Sequence, residues 1–364
     1  MYKIKDTTAY LESIAPRAYQ ESYDNSGLIT GNPNDQIKGV LISLDCTEDI
    51  VEEAIAKDCN LIIAHHPIIF KGLKTFTGKN YVERTVINAI KNDIAIYAIH
   101  TNLDNIAGGV SYKIAEKLEL ENVRILAPQK STLSKLVAFV PTANTSEVLE
   151  ALYNAGAGEI GDYSNCSFTV NGQGTFKPNE KANPHIGSAN NQEVVKEDRI
   201  ELIFPTYLTS SIVNALKKAH PYEEVAHYIT SLENANHEVG SGIVADLQSP
   251  LEPEAFLQHL KDKMNLKVIR HTTLTKKVKC VAICGGAGSF LLSQAKRAGA
   301  DAFVTGDFKY HEFFDAENQL MICDIGHYES EVFTKDLINE LLNKKFNTFA
   351  ICLSEVNTNP ISYF

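Results

Sequence analysis

Residues 60–67 read NLIIAHHP, a short apolar run that ends in two histidines and a proline. Similar runs lie on either side of it, at 39–45 (GVLISLD) and 94–101 (IAIYAIHT), and amphipathic stretches separate the three. A short run that is apolar on both faces is typical of a parallel strand covered by helices. The first third of the chain is therefore predicted to form a βαβαβ unit.

The last third of the chain repeats this pattern. Apolar runs occur at 278–286, 302–307, 320–326 and 348–354, and amphipathic stretches separate several of them. The same reasoning predicts a second α/β segment here.

The middle of the chain has a different order of elements. Its strand-like and amphipathic stretches follow one another as βαββαβ, which is the ferredoxin-like plan. Residues 177–198, between the two central strands, are rich in Asn, Gly, Pro and charge, which predicts a long mobile loop. The predicted strands are KLVAFVP (135–141), SFTVNGQGTF (167–176), DRIELIFP (198–205) and EVAHYITSL (224–232).

These patterns predict an α/β protein with one inserted domain. A main α/β domain is expected from both ends of the chain, residues 1–128 and 248–364, with a ferredoxin-like βαββαβ domain inserted at 129–247. A length of 364 residues agrees with more than one domain. Three independent domains in a row remain an alternative, because a single sequence does not reveal which strands pair.

Composition excludes several classes of protein. An apolar content of 44% excludes a disordered or fibrous chain, and a net charge of −11 disfavours nucleic acid and anionic membranes as partners. The first residues lack the features of a signal peptide, and no run of 18 apolar residues occurs, so we expect a soluble, cytoplasmic protein. Seven scattered cysteines predict no disulfide framework, and Cys280 and Cys284 are interpreted as core residues.

Three of the predicted strands end in histidine or acid. In open α/β sheets, ligands bind at the carboxyl ends of the parallel strands, so these positions are the first candidates for a site. Mixed His, Asp and Glu ligands without thiolate suit Zn²⁺, Mn²⁺ or Fe²⁺ in an open, hydrolytic site, and a carboxylate can bridge two metals. The three strand ends are His65-His66-Pro67, the segment from His100 to Asp104, and the segment from His327 to Glu331.

Each strand end also has a plain structural interpretation. The His65-His66 pair could lie in a simple turn, and Asp104 could cap a helix. Glu331 could complement the positive end of its own helix. The coincidence of three such strand ends favours a functional site over three separate structural roles.

Six motifs resemble a known family. They resemble the GTP cyclohydrolase 1 type 2 homolog family, also called NGG-interacting-factor-three-like. The middle of the chain resembles the domain, similar to signal protein P-two and copper-tolerance protein A, that longer bacterial members carry. The motifs are DNSGLITG (24–31), LIIAHHPIIF (61–70), AIHTNLDN (98–105), ICGGAGSF (283–290), TGDFKYHEFFDA (305–316) and DIGHYESE (324–331).

The resemblance implies a toroidal homohexamer with a dinuclear metal centre that faces an internal cavity. It implies two divalent metal ions per chain, with zinc as the first choice and manganese or iron as alternatives. His100 matches a family histidine beside the metals, which makes it the candidate acid/base or substrate contact. The implied metal ligands are His65, His66, Asp104, His327 and Glu331, with Glu331 bridging.

Two motifs keep a more limited interpretation. The family often has two adjacent histidines where Tyr310 precedes His311 here, so His311 is a candidate only for the surroundings of the metals. The glycine-rich ICGGAGSF motif lacks the remaining residues of a phosphate loop or a dinucleotide fingerprint. A tight strand-to-helix turn explains it, and a phosphate contact at the helix start is a minor alternative.

Two further segments are interpreted structurally. Asp24, Asn25 and Gly27 are interpreted as a turn near the cavity and not as site residues. The segment HPYEE (220–224) is interpreted as a helix stop at proline followed by an edge strand.

Two functions from different classes fit these expectations. The first is a metal-dependent hydrolase of a nucleotide-like substrate, resembling GTP cyclohydrolase. The alternative is a metal-containing regulatory or interaction protein, a ring-shaped scaffold with a ligand-sensing insert and no turnover. Expected partners are further copies of the chain and a small molecule or nucleotide, but neither nucleic acid nor a membrane.

Overall fold

The computed structural model describes all 364 residues, and the chain divides into two compact units. The first unit comprises Met1–Ala127 and Val239–Phe364, and the second comprises Pro128–Glu238. The chain thus returns to the first unit at Val239, earlier than the predicted residue 248. The reason is that the long strand Asn236–Leu251 pairs with a strand of the first unit, Val278–Ala287.

The first part of the first unit alternates strands and helices. The apolar runs quoted above form its short central strands, all of whose residues are buried. In chain order the elements are α1 (Ile4–Ile14), β1 (Gly27–Thr30), β2 (Gly39–Ser43), α2 (Glu48–Ala56), β3 (Leu61–Ala64), α3 (Tyr81–Lys91), β4 (Ala95–Ala98), α4 (Thr101–Asp104), α5 (Val110–Lys117) and β5 (Glu121–Gln129).

The second unit has two helices and one four-stranded sheet. In sheet order the strands are β7 (Phe168–Phe176), β8 (Glu193–Pro205), β6 (Leu133–Pro141) and β9 (His227–Leu232), and every neighbouring pair is antiparallel. Residues 177–192 connect the edge strand β7 to β8. This connection is shorter than predicted, because β8 begins at Glu193, which lies opposite Phe176. The elements are β6 (Leu133–Pro141), α6 (Thr145–Asn154), β7 (Phe168–Phe176), β8 (Glu193–Pro205), α7 (Thr209–Ala219) and β9 (His227–Leu232).

The remainder of the first unit carries ten further elements. They include the predicted strands of the last third of the chain. In chain order they are β10 (Asn236–Leu251), α8 (Pro253–Lys263), β11 (Arg270–His271), β12 (Val278–Ala287), α9 (Leu292–Arg297), β13 (Ala302–Gly306), β14 (Met321–Asp324), α10 (His327–Glu331), α11 (Thr334–Lys345) and β15 (Ala350–Leu353).

Both ends of the chain share one sheet of the first unit. This five-stranded sheet has the order β1-β4-β3-β2-β15, with β1 as an antiparallel edge strand and the other pairs parallel. Ala350 in β15 lies opposite Gly39 in β2. This pairing excludes the alternative of three independent domains in a row.

The second sheet of the first unit is mixed. Its six strands have the order β11-β14-β13-β12-β10-β5, and the central strands β12, β13 and β14 are parallel. On its two sides, β11 pairs with β14 and β10 pairs with β12 in antiparallel fashion. The first unit is thus a mixed α/β structure with two sheets.

Two expectations from composition can be compared with this fold. All seven cysteines are free, as expected, and Cys280 and Cys284 contribute to a cluster of core side chains in the first unit. No helix combines the length and the apolar character that a membrane span requires.

Candidate metal centre

The ends of β3, β4 and β14 bring all six candidate residues together in the first unit. His65 and His66 follow β3 directly, and His100 precedes α4, which ends at Asp104. His327 and Glu331 are the first and last residues of α10. Their ligand atoms form three sets, and the atoms within each set lie within 4.8 Å of one another. The sets are His65 with His66 and His100, His66 with His327 and Glu331, and His65 with Asp104 and Glu331.

The carboxylate of Glu331 faces two of these sets at once. Its Oε2 lies 2.9 Å from Nε2 of His66 and 3.1 Å from Nε2 of His327. Its Oε1 lies 3.8 Å from Nε2 of His65, on the side of Asp104. One carboxylate therefore contributes one oxygen atom to each of two potential metal sites.

His65 and Asp104 leave buried polar atoms without partners. Nδ1 of His65 donates a hydrogen bond of 2.8 Å to the carbonyl oxygen of Ile99, so Nε2 of the neutral ring carries a lone pair. This Nε2 and Oδ1 of Asp104 are 3.6 Å apart, and both are buried without a hydrogen-bond partner. Unsatisfied buried acceptors are costly, and a divalent cation between them would satisfy both. The donor set therefore fits a metal ion.

A carboxylate orients each of the other three imidazoles. The Nδ1 atom of the ring donates to the carboxylate, which directs Nε2 towards the cluster, and such bonds around a metal site fix the tautomer of the ligand. The pairs are His66 with Asp45 at 2.7 Å, His100 with Asp24 at 2.8 Å, and His327 with Asp307 at 2.8 Å.

These three aspartates were missed by the sequence analysis. Asp45 lies just beyond β2 and Asp307 directly follows β13, so the rule that selected the histidines applies to both of them. Asp24 was assigned to a turn only. It accepts hydrogen bonds from both His100 and Thr101, and these bonds connect the turn to the site. No strand precedes Asp24, so only the DNSGL motif pointed to it.

His311 lies outside the cluster. It belongs to a short 3-10 helix, Tyr310–Ala316, and its exposed ring stacks on Phe314 with an angle of 27° between the ring planes. The residue of the TGDFKYHEFF motif that reaches the candidate ligands is Asp307. The structure therefore does not place His311 among the candidate ligands.

The glycine-rich motif makes room for Glu331. Gly286 has a φ of +64°, and a β-carbon there would overlap Oε1 of Glu331. Its N–H donates a 2.9 Å hydrogen bond to Oγ of Ser330, next to that carboxylate. A close approach of backbone to a candidate ligand explains this glycine, so the phosphate interpretation is not needed.

Three of the candidate ligands have raised pKa values. Burial alone would lower the pKa of His66, but its bonds to Asp45 and Glu331 raise it to about 10. Burial alone would also lower the pKa of His327, but its bonds to Glu331 and Asp307 raise it to about 9. Burial and the Glu331 charge raise the pKa of Asp104 to about 7. Because metal ligands must be deprotonated, a bound cation would replace these protons.

A cavity of about 760 Å³ opens onto these groups. Four largely exposed aromatic side chains, of Tyr23, Phe70, Tyr81 and Phe290, line it. Neither lysine nor arginine contributes to its lining, so the charged groups of the wall are histidines and carboxylates. The cavity is large enough for a small-molecule ligand.

Known proteins resemble this chain over its whole length. It is 41% identical to the "GTP cyclohydrolase 1 type 2 homolog" of Bacillus subtilis (strain 168) over 359 residues, which cover 97% of this chain and 96% of that one. It is 35% identical to the protein of the same description from Staphylococcus aureus (strain MW2) over 367 residues, 99% of this chain and 100% of that one.

Solved structures agree with these relatives. A Bacillus cereus protein related to NIF3 matches with a TM-score of 0.87 and 38% identity, covering 100% of this chain and 99% of that one. Staphylococcus aureus protein SA1388 matches with a TM-score of 0.80 and 31% identity over the same shares. The profile of Duf34/NIF3 (NGG1p interacting factor 3) matches residues 2–360, which confirms the resemblance drawn from the motifs. The chain therefore belongs to the Duf34/NIF3 family.

Proposed function

We propose that this chain is a metal-dependent hydrolase that acts on a nucleotide-like substrate at a dinuclear centre. The observation that carries the proposal is the division of the Glu331 oxygen atoms between two sets of ligand atoms. His66 and His327 would hold one ion and His65 and Asp104 the other, with Glu331 common to both. Two ions when bound would supply Lewis acidity and lower the pKa of water to near neutrality. Zinc is the first choice of metal, and manganese or iron suit the same donors.

His100 is the proposed proton carrier. It lines the cavity, and its ring centre lies 5.2 Å from that of His65 and 5.4 Å from that of His66. Its Nδ1 donates to Asp24, which leaves Nε2 free to accept a proton and to return it to a leaving group. Burial opposes ionisation of Asp24, but the hydrogen bond and charge of His100 hold the pKa of that carboxyl well below its usual range. The carboxylate therefore fixes the tautomer and the orientation of the His100 ring.

The wall of the cavity supports a flat, aromatic substrate. Tyr23, Phe70 and Phe290 offer ring faces for a heterocycle. The curated relatives carry the description "GTP cyclohydrolase 1 type 2 homolog", so GTP is the first substrate to test. With no lysine or arginine in the wall, the histidines are the only side chains of the cavity that could carry a positive charge next to the substrate phosphates.

Metal analysis and a turnover assay on the same samples test the proposal. The variants are Glu331→Gln, which keeps the side-chain shape, and His100→Gln, with His311→Ala as a control outside the cluster. We expect about two metals per chain in the wild type and the control. Glu331→Gln should lose both metal and turnover, and His100→Gln should keep metal and lose roughly 10²-fold or more in rate.

Other outcomes would contradict the proposal in different ways. Wild-type protein that binds metal but turns over no nucleotide or nucleoside favours the regulatory alternative. A wild type that binds no divalent metal excludes both functions.

We also propose the remaining features that the family resemblance implies. The βαββαβ order and antiparallel sheet of the second unit support an inserted ferredoxin-like domain. A homohexamer is the proposed assembly, and the exposed rings of Tyr310 and Phe314 are candidates for burial between copies. Light scattering coupled to size exclusion tests this assembly, and a monomer or dimer would contradict it.

A further inference from the structure

The second unit contains a cavity of its own, of about 620 Å³. The hydrophobic core of the second unit, which includes Leu136, Ala138 and Ile200, lies between the sheet and helices α6 and α7. Successive side chains of a strand point to opposite faces, so Phe139 and Arg199 face away from that core, and both line the cavity. The cavity therefore lies on the face of the sheet that the two helices do not cover.

A buried carboxylate, that of Glu197, lines this cavity. Glu197 is only 7% exposed and forms no ion pair. The nearby cation Arg199 pairs instead with Glu201, at 2.6 Å. A buried carboxylate without a counter-charge is unfavourable, so a group of opposite charge in the cavity would stabilise it.

The backbone beside Glu197 is shaped to admit its carboxylate. Gly172 lies opposite Glu197 in the β7–β8 pairing, and Gly174 is the next residue on the same face. A β-carbon at Gly174 would overlap Oε2 of Glu197. Any larger residue at this position would displace the carboxylate, so the glycine allows it to lie flat against the strand.

Aromatic rings surround the carboxylate. Tyr222 packs edge-to-face against Phe176, with ring centres 5.8 Å apart, and Phe139 packs likewise against Tyr228 at 5.9 Å. All four rings line the cavity. The hydroxyl of Tyr222 is buried next to the Glu197 carboxylate, and burial together with that carboxylate raises the pKa of the tyrosine, so the hydroxyl keeps its proton.

His220, the first residue of the HPYEE segment, has a structural role. Nε2 of His220 donates to the carbonyl oxygen of Phe139 at 2.9 Å, and Nδ1 accepts the N–H of Tyr222 at 3.1 Å. Both nitrogen atoms are therefore occupied. The helix stop and edge strand expected for this segment are confirmed, because α7 ends at Ala219 and β9 is an edge strand. His220 fixes the backbone that carries the Tyr222 ring.

We propose that this cavity binds a small organic cation, a primary ammonium group on a compact apolar or aromatic body. The Glu197 carboxylate would accept one ammonium N–H and the Tyr222 hydroxyl a second. The rings of Phe139, Phe176 and Tyr228 would supply apolar contact and cation–π attraction. Two cationic side chains also line the cavity, but Arg199 is paired with Glu201 and Lys177 forms no ion pair with Glu197. A metal ion is disfavoured, because the clusters of His, Cys, Asp and Glu suited to a metal all lie in the first unit.

Calorimetric titration of the full chain with phenethylammonium tests this site. The neutral counterpart phenethyl alcohol has a similar shape and no charge. We expect saturable binding of the amine, with a Kd on the order of 1 mM or below, and at least roughly tenfold weaker binding of the alcohol.

Three variants separate charge recognition from general effects. Glu197→Gln should weaken amine binding roughly tenfold or more, and Tyr222→Phe should weaken it by a smaller factor while keeping the ring. Glu150→Gln makes the same change of charge at an exposed position of α6 outside the cavity, so this variant should bind like the wild type. An unchanged thermal unfolding midpoint verifies that each variant is folded.

Several results would overturn the proposal. Equal binding of amine and alcohol would mean that the cavity recognises only apolar surface. Equal losses in Glu197→Gln and Glu150→Gln would mean that only the overall charge matters. No saturation by the amine up to about 10 mM would mean that the cavity is not a site for this class.

Discussion

Gly286 and Glu331 are in such close contact that the glycine cannot carry a side chain. The backbone of Gly286 adopts a left-handed conformation, and a β-carbon added to it would lie only 2.3 Å from Oε1 of Glu331. Glu331 is 3% exposed and is the residue shared by the two sets of candidate ligands. The position of this carboxylate, and with it the metal centre, therefore depends on a residue that contributes no ligand atom.

Gly286→Ala should remove metal from the protein. The new methyl group would push the Glu331 carboxylate away from His66 and His65, and metal affinity should fall at least roughly tenfold. Gly299→Ala is a matched control, because Gly299 has a φ of +75° with no atom within 4 Å of the added carbon. Both substitutions should cost about 1 kcal/mol in the free energy of unfolding, from backbone strain alone. Metal content measured after dialysis should separate them, and equal metal loss would contradict the steric argument.

Asp307→Asn should weaken metal binding without removing a ligand. Asp307 accepts the Nδ1–H of His327 at 2.8 Å, and the loss of such an orienting carboxylate typically costs 10- to 100-fold in metal affinity. His311→Ala, four residues further along the chain, is the comparison and should leave the affinity unchanged. Competition with a coloured chelator measures both, and a larger effect of His311→Ala would reverse the assignment made from the structure.

Metal loading should release protons. In the metal-free protein the pKa of His66 is raised to about 10 and that of His327 to about 9, so both rings are protonated at pH 7.5. Binding must deprotonate them, so affinity should increase as pH rises from 6 to 8, with about two protons released per chain. Titration calorimetry in two buffers of different ionisation enthalpy measures this number. A binding heat that does not depend on the buffer would exclude the mechanism.

The folding stability of the metal-free form should fall as pH rises, whereas the affinity for metal should increase. A raised histidine pKa stabilises the fold below the unfolded value of about 6.5, and this contribution is lost as pH rises through 9 to 10. Urea denaturation of the metal-free protein should therefore show falling stability over that range. His327→Gln should flatten the dependence if the raised pKa values are its cause.

Much of the site was predictable because apolar parallel strands are easy to recognise. His65, His66 and His327 each follow such a run closely, and Glu331 lies in the same segment as His327. Asp45 and Asp307 satisfied the same rule, but an isolated aspartate after a strand resembles a turn residue. Asp24 could not have been found in this way, since its role depends on a hydrogen bond to His100, 76 residues further along.

The strand pairing was only partly predictable. The repeated α/β pattern predicted parallel strands, but period and composition do not specify which strands are neighbours. The insertion of the middle segment was expected, yet its end was placed too late, because β10 continues through the boundary as one long strand. A boundary inside a strand carries no turn residues by which it could be recognised.

Glu83 should make an acid-sensitive contribution to stability. Its carboxylate accepts hydrogen bonds from the N–H and hydroxyl of Thr77 and from the N–H of Lys79, and these bonds lower its pKa to about 2. A lowered pKa stabilises the fold fully above the unfolded value of 4.5, and this contribution is lost as pH falls towards 2. The stability difference between wild type and Glu83→Gln should therefore shrink below pH 4.5, as measured by urea denaturation. A constant difference down to pH 3 would contradict the assignment.

If the chain is a hydrolase, it should discriminate little between a nucleoside and its triphosphate. The cavity wall contains aromatic rings but no lysine or arginine, so binding should depend mainly on the base. We expect kcat/KM for guanosine within about tenfold of that for GTP, measured on metal-loaded protein. A preference for GTP above roughly 100-fold would mean that the metals or another copy of the chain bind the phosphates.

The pairing of β15 with β2 joins residues that are far apart along the chain. His65 and Glu331 are similarly distant, with the whole second unit between them. During synthesis, the ribosome therefore releases the first histidines long before the carboxylate that completes their site. A nascent or truncated chain that ends before His327 holds only three of the five candidate ligands, and contacts of such large sequence separation make folding slow. Metal binding by a nascent chain would thus show that translation has passed Glu331 and that the distant segments are in contact.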